Sequence, residues 1–336
     1  MSKELLTVEN LKTYFFTASG VSKAVDGVSF TLEKGQTMGI VGESGSGKSV
    51  SASSIIRLLP KIGKIVDGKI EFEGKDILKL GKKELLNFRG KDIAVIFQDP
   101  MTSLDPVFKI GNQMVEMICA HQDISKKEAK AIAVEALKKV GIPQPEKRMD
   151  SYPYELSGGM CQRVIIAMAV CCKPKMIIAD EPTTALDVTV QAQVLELLQE
   201  LQREMNTSIL LITHNLGVVW KMCDTVMVMY AGKTVEYATA ETLYRNPMHP
   251  YTWGLLDSMP KLSDKVKEEL KTIPGTPPDL RLTGTGCNFC NRCPYAEEKC
   301  STEVPPLVEI EKGHFIACHR QNKTEKLARG EVKKNG

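Results

Sequence analysis

The sequence predicts an α/β protein built on a parallel sheet with helices on both faces, and three observations carry that expectation. The run Thr37-Met38-Gly39-Ile40-Val41 leads straight into Gly42-Glu43-Ser44-Gly45-Ser46-Gly47-Lys48-Ser49, which has the spacing G-x-x-x-x-G-K-[ST] and passes into a helical pattern. Two more apolar runs, Lys175–Asp180 and Ser208–Thr213, flank a helix from about Val188 to Met205; unbroken apolar strands alternating with helices are the mark of a parallel sheet buried on both faces. Between Gln98 and Lys175 the strand pattern is interrupted by a block of helical periodicity, an α-helical insertion at about 100–172.

Taken in order, residues 4–9 and 24–32 read as strands, and Glu33-Lys34-Gly35-Gln36 as a tight turn into the run that ends at Gly42. The loop glycines allow successive N–H groups to turn inward, and the helix that opens near Lys48 adds the positive end of its dipole. The loop is therefore a phosphate cradle, with Lys48 suited to the β- and γ-phosphates of a nucleotide and Ser49 to Mg²⁺. A bland Gly/Ser turn would require neither the strand before it nor the helix after it. Lys69–Phe72 and Ile93–Phe97 are further strands, with a polar helical stretch around Lys82–Phe88 between them. Within the insertion, Lys126–Val140 places Ala129, Ile132, Ala133, Ala136, Leu137 and Val140 on one helical face. Strands at Thr225–Tyr230 and Lys233–Tyr237 and a helix near Tyr251–Met259 close a first domain of residues 1–260. The Pro/Gly stretch Thr272–Pro278 links it to a Cys-rich segment within residues 261–336.

Composition narrows the function classes. With 44 basic and 41 acidic residues the net charge of +3 gives no reason to expect a nucleic-acid partner, and the Lys-rich end at Lys323–Lys334 reads as a solvated tail. No apolar run reaches the roughly 20 residues that span a bilayer, and the first residues lack a signal-peptide core, so a cytoplasmic location is expected. There thiols stay reduced, and a cluster of cysteines points to metal rather than disulfides. Five of the ten cysteines fall between Cys287 and Cys318; Cys119, Cys161, Cys171, Cys172 and Cys223 sit in apolar surroundings as core filler.

Asp180-Glu181 ends an apolar strand, where loops of a parallel sheet converge on ligands. Asp180 suits Mg²⁺ through its water shell, and Glu181 suits the polarisation of a water attacking a γ-phosphate. Leu156-Ser157-Gly158-Gly159-Met160 opens an apolar helix whose N–H groups can face an anion. This stretch resembles the L-S-G-G-Q signature of ATP-binding-cassette (ABC) ATPases, with Met160 departing from it at the last position. The resemblance extends over residues 4–260, and it implies a P-loop NTPase cassette: a RecA-like core, an antiparallel β subdomain and an inserted α-helical subdomain. It also implies roles. Gln98 matches the Q-loop glutamine, a Mg²⁺ ligand beside Ser49; Asp187 matches the D-loop; His214 matches the switch histidine; Gly42, Ser44, Gly45, Ser46, Gly47, Lys48, Ser49 and Val50 contact the nucleotide; Phe15 stacks on adenine, with Tyr14 the alternative. In this family two cassettes pair head-to-tail, so Ser157, Gly158, Gly159 and Met160 of one chain face the phosphate loop of another. Ser103-Leu104-Asp105-Pro106 lies where such cassettes touch a membrane subunit.

The cysteine segment reads Cys287-x5-Cys293-x6-Cys300-x17-Cys318, with Cys290 inside the first interval. Thiolates at such spacing suit Zn²⁺ or an iron–sulfur cluster. With Asn246–Thr252 and Ile273-Pro274-Gly275, the segment resembles the C-terminal extension of dipeptide and oligopeptide importer ATPases. Some of those carry a [4Fe–4S] site, which implies Cys287, Cys293, Cys300 and Cys318 as ligands, Zn²⁺ being the alternative; a local reading would use Cys287, Cys290 and Cys293. Met160, Asp180-Glu181-Pro182-Thr183-Thr184 and Phe97–Leu104 resemble the D-type subunit of a heterodimeric pair. The implied partners are an F-type ATPase subunit, two membrane permease subunits and an extracytoplasmic substrate-binding protein, with the chain on the cytoplasmic face of the membrane. The competing reading is a soluble ABC ATPase acting on ribosomes or DNA, with a structural iron–sulfur site. In that family two cassettes share one chain and the cysteines precede them, unlike here.

Overall fold

Continuous apolar runs become buried strands, and these place the loops that matter. The computed structural model describes residues 3–184, 186–259, 272–321, 327 and 329. Among them the strands are β1 (Glu4–Thr17), β2 (Gly20–Glu33), β3 (Thr37–Val41), β4 (Gly63–Phe72), β5 (Lys75–Asp76), β6 (Ile93–Ile96), β7 (Met176–Asp180), β8 (Ser208–Thr213), β9 (Thr225–Tyr230), β10 (Lys233–Thr239), β11 (Val308–Glu311) and β12 (His314–Ile316). By packing, the chain forms two units: one draws on Met1–Glu4, Leu32–Thr37 and Lys79–Ile212, the other on Leu5–Thr31, Met38–Leu78 and Thr213–Gly336.

In the first unit β6, β7 and β8 run parallel, in register Ile93 to Met176 and Met176 to Ser208. Residues Met176 to Ala179 are fully buried, as the unbroken apolar run requires. The insertion is helical as expected: Ile110–His121, Lys126–Lys139 and Gly158–Cys171 pack on one another. Ala129, Ala133, Ala136 and Leu137 form the buried stripe of the second of these. Its start is fixed by a reciprocal cap, in which the Ser125 hydroxyl accepts from the Glu128 N–H and the Glu128 carboxylate accepts from the Ser125 N–H.

In the second unit β3 pairs with β9 in parallel, and β9, β10, β12 and β11 continue the sheet antiparallel. A separate sheet has the order β2-β1-β4-β5. Its strands are longer than the 4–9 and 24–32 read from pattern alone. The reason lies in β1: the pairing with β4 slips between Glu9 and Thr13, and Asn10 takes a positive φ of 48°. Such a bulge breaks strict alternation, so the apolar signal dies at the point where the strand carries on.

The C-terminal segment contributes two short strands that the sequence reading left out. β12 pairs with β10 at Glu236 to Ile316 and Tyr237 to Phe315. A buried carboxylate knots the join: Glu236 accepts from the backbone N–H of Met248 (2.7 Å) and His249 (3.1 Å), and His314 Nε2 lies 2.8 Å from it. Three partners around one carboxylate offset the cost of burying it.

Candidate functional site

The phosphate loop folds as its spacing demands. Gly42 and Gly47 have positive φ, and a Cβ on either would lie 2.2 Å from the Met229 carbonyl oxygen or 2.3 Å from that of Ala24; only glycine fits there. The helix Lys48–Ile55 starts at once, with Gly47 as its N-cap. Lys48 is 5% exposed, and its Nζ donates to the carbonyls of Gly42 (2.8 Å) and Glu43 (2.9 Å). Ser46 is buried and its Oγ has no hydrogen-bond partner. A buried, unpartnered hydroxyl in this loop fits a phosphate oxygen, and an ammonium held by loop carbonyls is ready to exchange them for phosphate. Ser44, Gly45 and Ser49 are exposed and Val50 half-buried.

Phe15 and Tyr14 point apart, as neighbours on a strand must. Thr13, two residues before Phe15, meets Ser54 of the phosphate-loop helix at 2.8 Å, so Phe15 shares that face, its ring against Gly63. Tyr14 instead donates to Asp26 (2.7 Å), and burial together with that bond raises its hydroxyl pKa to about 12. Of the two aromatics, the half-buried Phe15 is the one on the face of the phosphate helix. His214 is exposed directly after β8, and Asn215 caps the next helix by accepting from the Gly217 N–H.

In the other unit Gln98 and Glu181 come together. Gln98 Nε2 donates to Glu181 Oε2 at 3.1 Å, and the Thr184 hydroxyl donates to the same oxygen at 2.9 Å. Glu181 has φ of 47°, a left-handed conformation that a residue with a side chain adopts only at a cost of order 1–3 kcal/mol, the kind of strain that gathers at working sites. Asp180, the last residue of β7, is half-buried. The helix Gly158–Cys171 begins with Ser157 as N-cap, its hydroxyl accepting from the Met160 N–H at 3.3 Å; Ser157 and Gly158 are exposed, and Gly159 is half-buried against Val190. Asp187 carries a role that sequence matching passed over: its carboxylate accepts from the Thr189 and Val190 N–H groups and caps the helix Val188–Met205.

Cys287, Cys290, Cys293, Cys300 and Cys318 line a single cavity of the second unit, with His249 and His319 at its wall. Burial pushes the Cys287 and Cys318 thiols up to about 11 and Cys293 to about 12, and neighbouring thiols add to each shift. The donor chemistry is right for a soft metal or a cluster. The geometry falls short of the expectation: among the described residues no group of three or more His, Cys, Asp or Glu side chains is disposed to hold a metal ion. The thiols share a cavity, but they do not converge on a point.

Two residues outside the motifs are tied to the phosphate loop. The Arg292 guanidinium pairs with both carboxylate oxygens of Glu43, at 2.6 and 3.0 Å, and the Tyr251 hydroxyl accepts from the Glu43 N–H at 2.8 Å. Glu43 is a free position of the loop motif, so spacing could not single it out. The one local signal was a basic residue enclosed between Cys290 and Cys293.

Comparison with known proteins bears on both regions. The ABC transporter family profile matches residues 25–184, and the profile of the oligopeptide/dipeptide transporter C-terminal region matches residues 235–300. The oligopeptide transport ATP-binding protein OppD of Bacillus subtilis is 52% identical over 93% of this chain and 87% of its own length. OppD of Escherichia coli is 50% identical (94% and 93%), and the dipeptide transport ATP-binding protein DppD of B. subtilis 49% (95% and 96%). Among solved structures, a dimeric ATP-binding cassette in a post-hydrolysis state with ADP and Pi aligns with TM-score 0.63 at 25% identity, covering 70% of this chain and 99% of that one. The structure of cbiO1 of Clostridium perfringens, part of the ABC transporter complex cbiONQ, aligns at 0.62 and 28%, over 73% and 92%.

Proposed function

Because the chain belongs to the ABC transporter family, as an ATP-binding subunit of the oligopeptide/dipeptide type, we propose that it is the ATPase that drives an importer of short peptides. The observation that carries this reading is the union, in one chain, of a phosphate cradle and the C-terminal region that marks peptide transporters.

In this reading Lys48, the loop N–H groups and Ser46 Oγ hold the phosphates, and Phe15 stacks on adenine. Ser49 and Gln98 ligate Mg²⁺, which Asp180 reaches through water; the ion, when bound, neutralises phosphate charge and orients the γ-phosphate. Glu181 polarises the attacking water, its carboxylate oriented by Gln98 and Thr184. His214 steadies the γ-phosphate as charge develops there. A second ATPase subunit, of F type, completes each site head-to-tail, presenting its own signature helix and receiving Ser157, Gly158, Gly159 and Met160 of this one, with Asp187 at the seam. That a similar cassette bound to ADP and Pi is dimeric supports the pairing of two ATPase subunits. Among the described residues no helix is long and apolar enough to cross a membrane, which accords with a peripheral subunit on the cytoplasmic face, joined to two permeases and served by a binding protein. Residues 1–260 form the cassette and 261–336 the extension.

For the extension, the reading keeps Cys287, Cys293, Cys300 and Cys318 as ligands of a [4Fe–4S] cluster, or of Zn²⁺, supported by their common cavity. Iron, sulfide and zinc analysis of anaerobically purified protein separates the two, and protein free of all three ends both. The import reading is tested by co-purification with the membrane subunits and ATP-driven uptake of a labelled tripeptide into proteoliposomes. Association with ribosomes and no uptake would overturn it.

A further inference from the structure

Glu43, a variable position of the phosphate loop, is held at three points. Its carbonyl accepts from Lys48, the lysine of the cradle; its N–H donates to Tyr251; its carboxylate is gripped by Arg292. Two of these three ties come from the region after residue 250 rather than from the loop's neighbours in sequence.

Arg292 is built into its place. Besides the two bonds to Glu43, its guanidinium donates to the carbonyls of Pro274 (2.8 Å) and Ile273 (3.2 Å) and to the Tyr230 hydroxyl (3.2 Å). The side chain is 5% exposed against 27% for Glu43, so the pair is shielded from salt at the arginine end. Five hydrogen bonds use the whole donor fork of the guanidinium, which leaves it no freedom to swing. Tyr251 is equally fixed, fully buried among Tyr230 and Phe289 with ring centroids 4.6 and 5.4 Å away. A rigid anchor at both the amide and the carboxylate of Glu43 sets where its carbonyl points. That carbonyl is one of the two that hold the Lys48 ammonium.

We propose that Arg292 and Tyr251 are positioning residues for ATP: from the C-terminal region they set the conformation of the phosphate loop and the resting place of Lys48. The inference rests on the reading of the loop as an ATP site. It gives the C-terminal region a task in nucleotide binding. It also gives a physical line from the thiols to the nucleotide, because Arg292 occupies the turn Cys290–Arg292, and Cys293 follows it directly. Any change that reshapes this turn moves the arginine that holds the loop.

The test uses the full chain and a fluorescent ATP analogue, with binding and steady-state hydrolysis measured side by side. Arg292→Gln and Tyr251→Phe are expected to weaken nucleotide binding about tenfold, equivalent to about 1.4 kcal/mol, with KM raised more than kcat is lowered. Tyr251→Phe keeps the ring in its aromatic cluster and removes only the hydroxyl, so it reports on the loop even if Arg292→Gln fails to fold. Glu43→Gln combined with Arg292→Gln should be no worse than either alone, since both remove one interaction. Arg281→Gln, which breaks a pair with Asp279 elsewhere in the same segment, is the control expected to bind normally. Nucleotide binding by both Arg292→Gln and Tyr251→Phe equal to wild type, or fully additive losses in the double variant, would overturn the proposal. Wild-type protein that binds no nucleotide would instead overturn the ATPase reading itself.

Discussion

Gln98 Nε2 donates to Glu181 Oε2 at 3.1 Å, a bond between residues separated by 83 positions in the chain. The contact orients a carboxylate whose backbone is already constrained at φ 47°. Removing the negative charge while keeping the shape isolates its chemical role. Glu181→Gln is expected to bind ATP normally and to lose about 10²- to 10⁴-fold in kcat, the range for a general base. Single-turnover hydrolysis beside equilibrium binding checks this, and unchanged hydrolysis would refute the role.

The cradle depends on the absence of a side chain at Gly47. An alanine there would set its Cβ 2.3 Å from the Ala24 carbonyl oxygen at φ 103°. Gly47→Ala is expected to lower stability by about 1–3 kcal/mol and to abolish ATP binding. Lys48→Ala is also expected to lose ATP binding, but without backbone strain: its stability loss, about 1–3 kcal/mol at most, comes from the two loop carbonyls left without their donor. Thermal melts with and without ATP measure both effects, and a melting temperature that ATP raises in either variant would refute the expected loss of binding.

His249 makes stability depend on pH. It is buried, and burial pulls its pKa from 6.5 to about 4, against the opposing pull of Glu236. Its Nδ1 must stay unprotonated to accept the Tyr251 N–H at 3.1 Å and cap the helix Pro250–Asp257. The unfolded chain takes up a proton below pH 6.5 that the folded chain refuses, so this contribution is full above that pH. It is lost as pH falls toward 4, by at most about 3 kcal/mol. Urea denaturation across this window should show a shallower slope for His249→Asn, which keeps a cap but not the titration. Equal slopes would remove His249 as the cause.

The exposed helix start at Ser157 is expected to be an assembly surface. Ser157→Arg should leave ATP binding by the single chain intact and prevent ATP-dependent pairing with a second ATPase subunit. Sedimentation in a Glu181→Gln background, where ATP persists, measures it. Pairing undiminished by the arginine would place the interface elsewhere. Ser157→Ala serves as the milder comparison, expected to cost about 1 kcal/mol of stability through the lost cap.

Much of the cassette was legible because its signals are local. A cradle of glycines beside Lys48, apolar runs ending at Gln98 and Asp180, and a Ser-Gly-Gly helix start at Ser157 are each written in consecutive residues, and their geometry follows from backbone rules acting over a few positions. The sequence alone therefore determined the phosphate loop, the parallel strands and the helical insertion. It could not determine what Glu43 binds, because its partner Arg292 lies 249 residues away and no periodic pattern ties them. Nor could it place β11 and β12, runs of four and three residues whose pairing is made by β10 rather than by their own composition. Tertiary structure also decided that the five C-terminal thiols line one cavity without meeting at a point, since side-chain convergence depends on how distant turns pack and spacing along the chain does not set it.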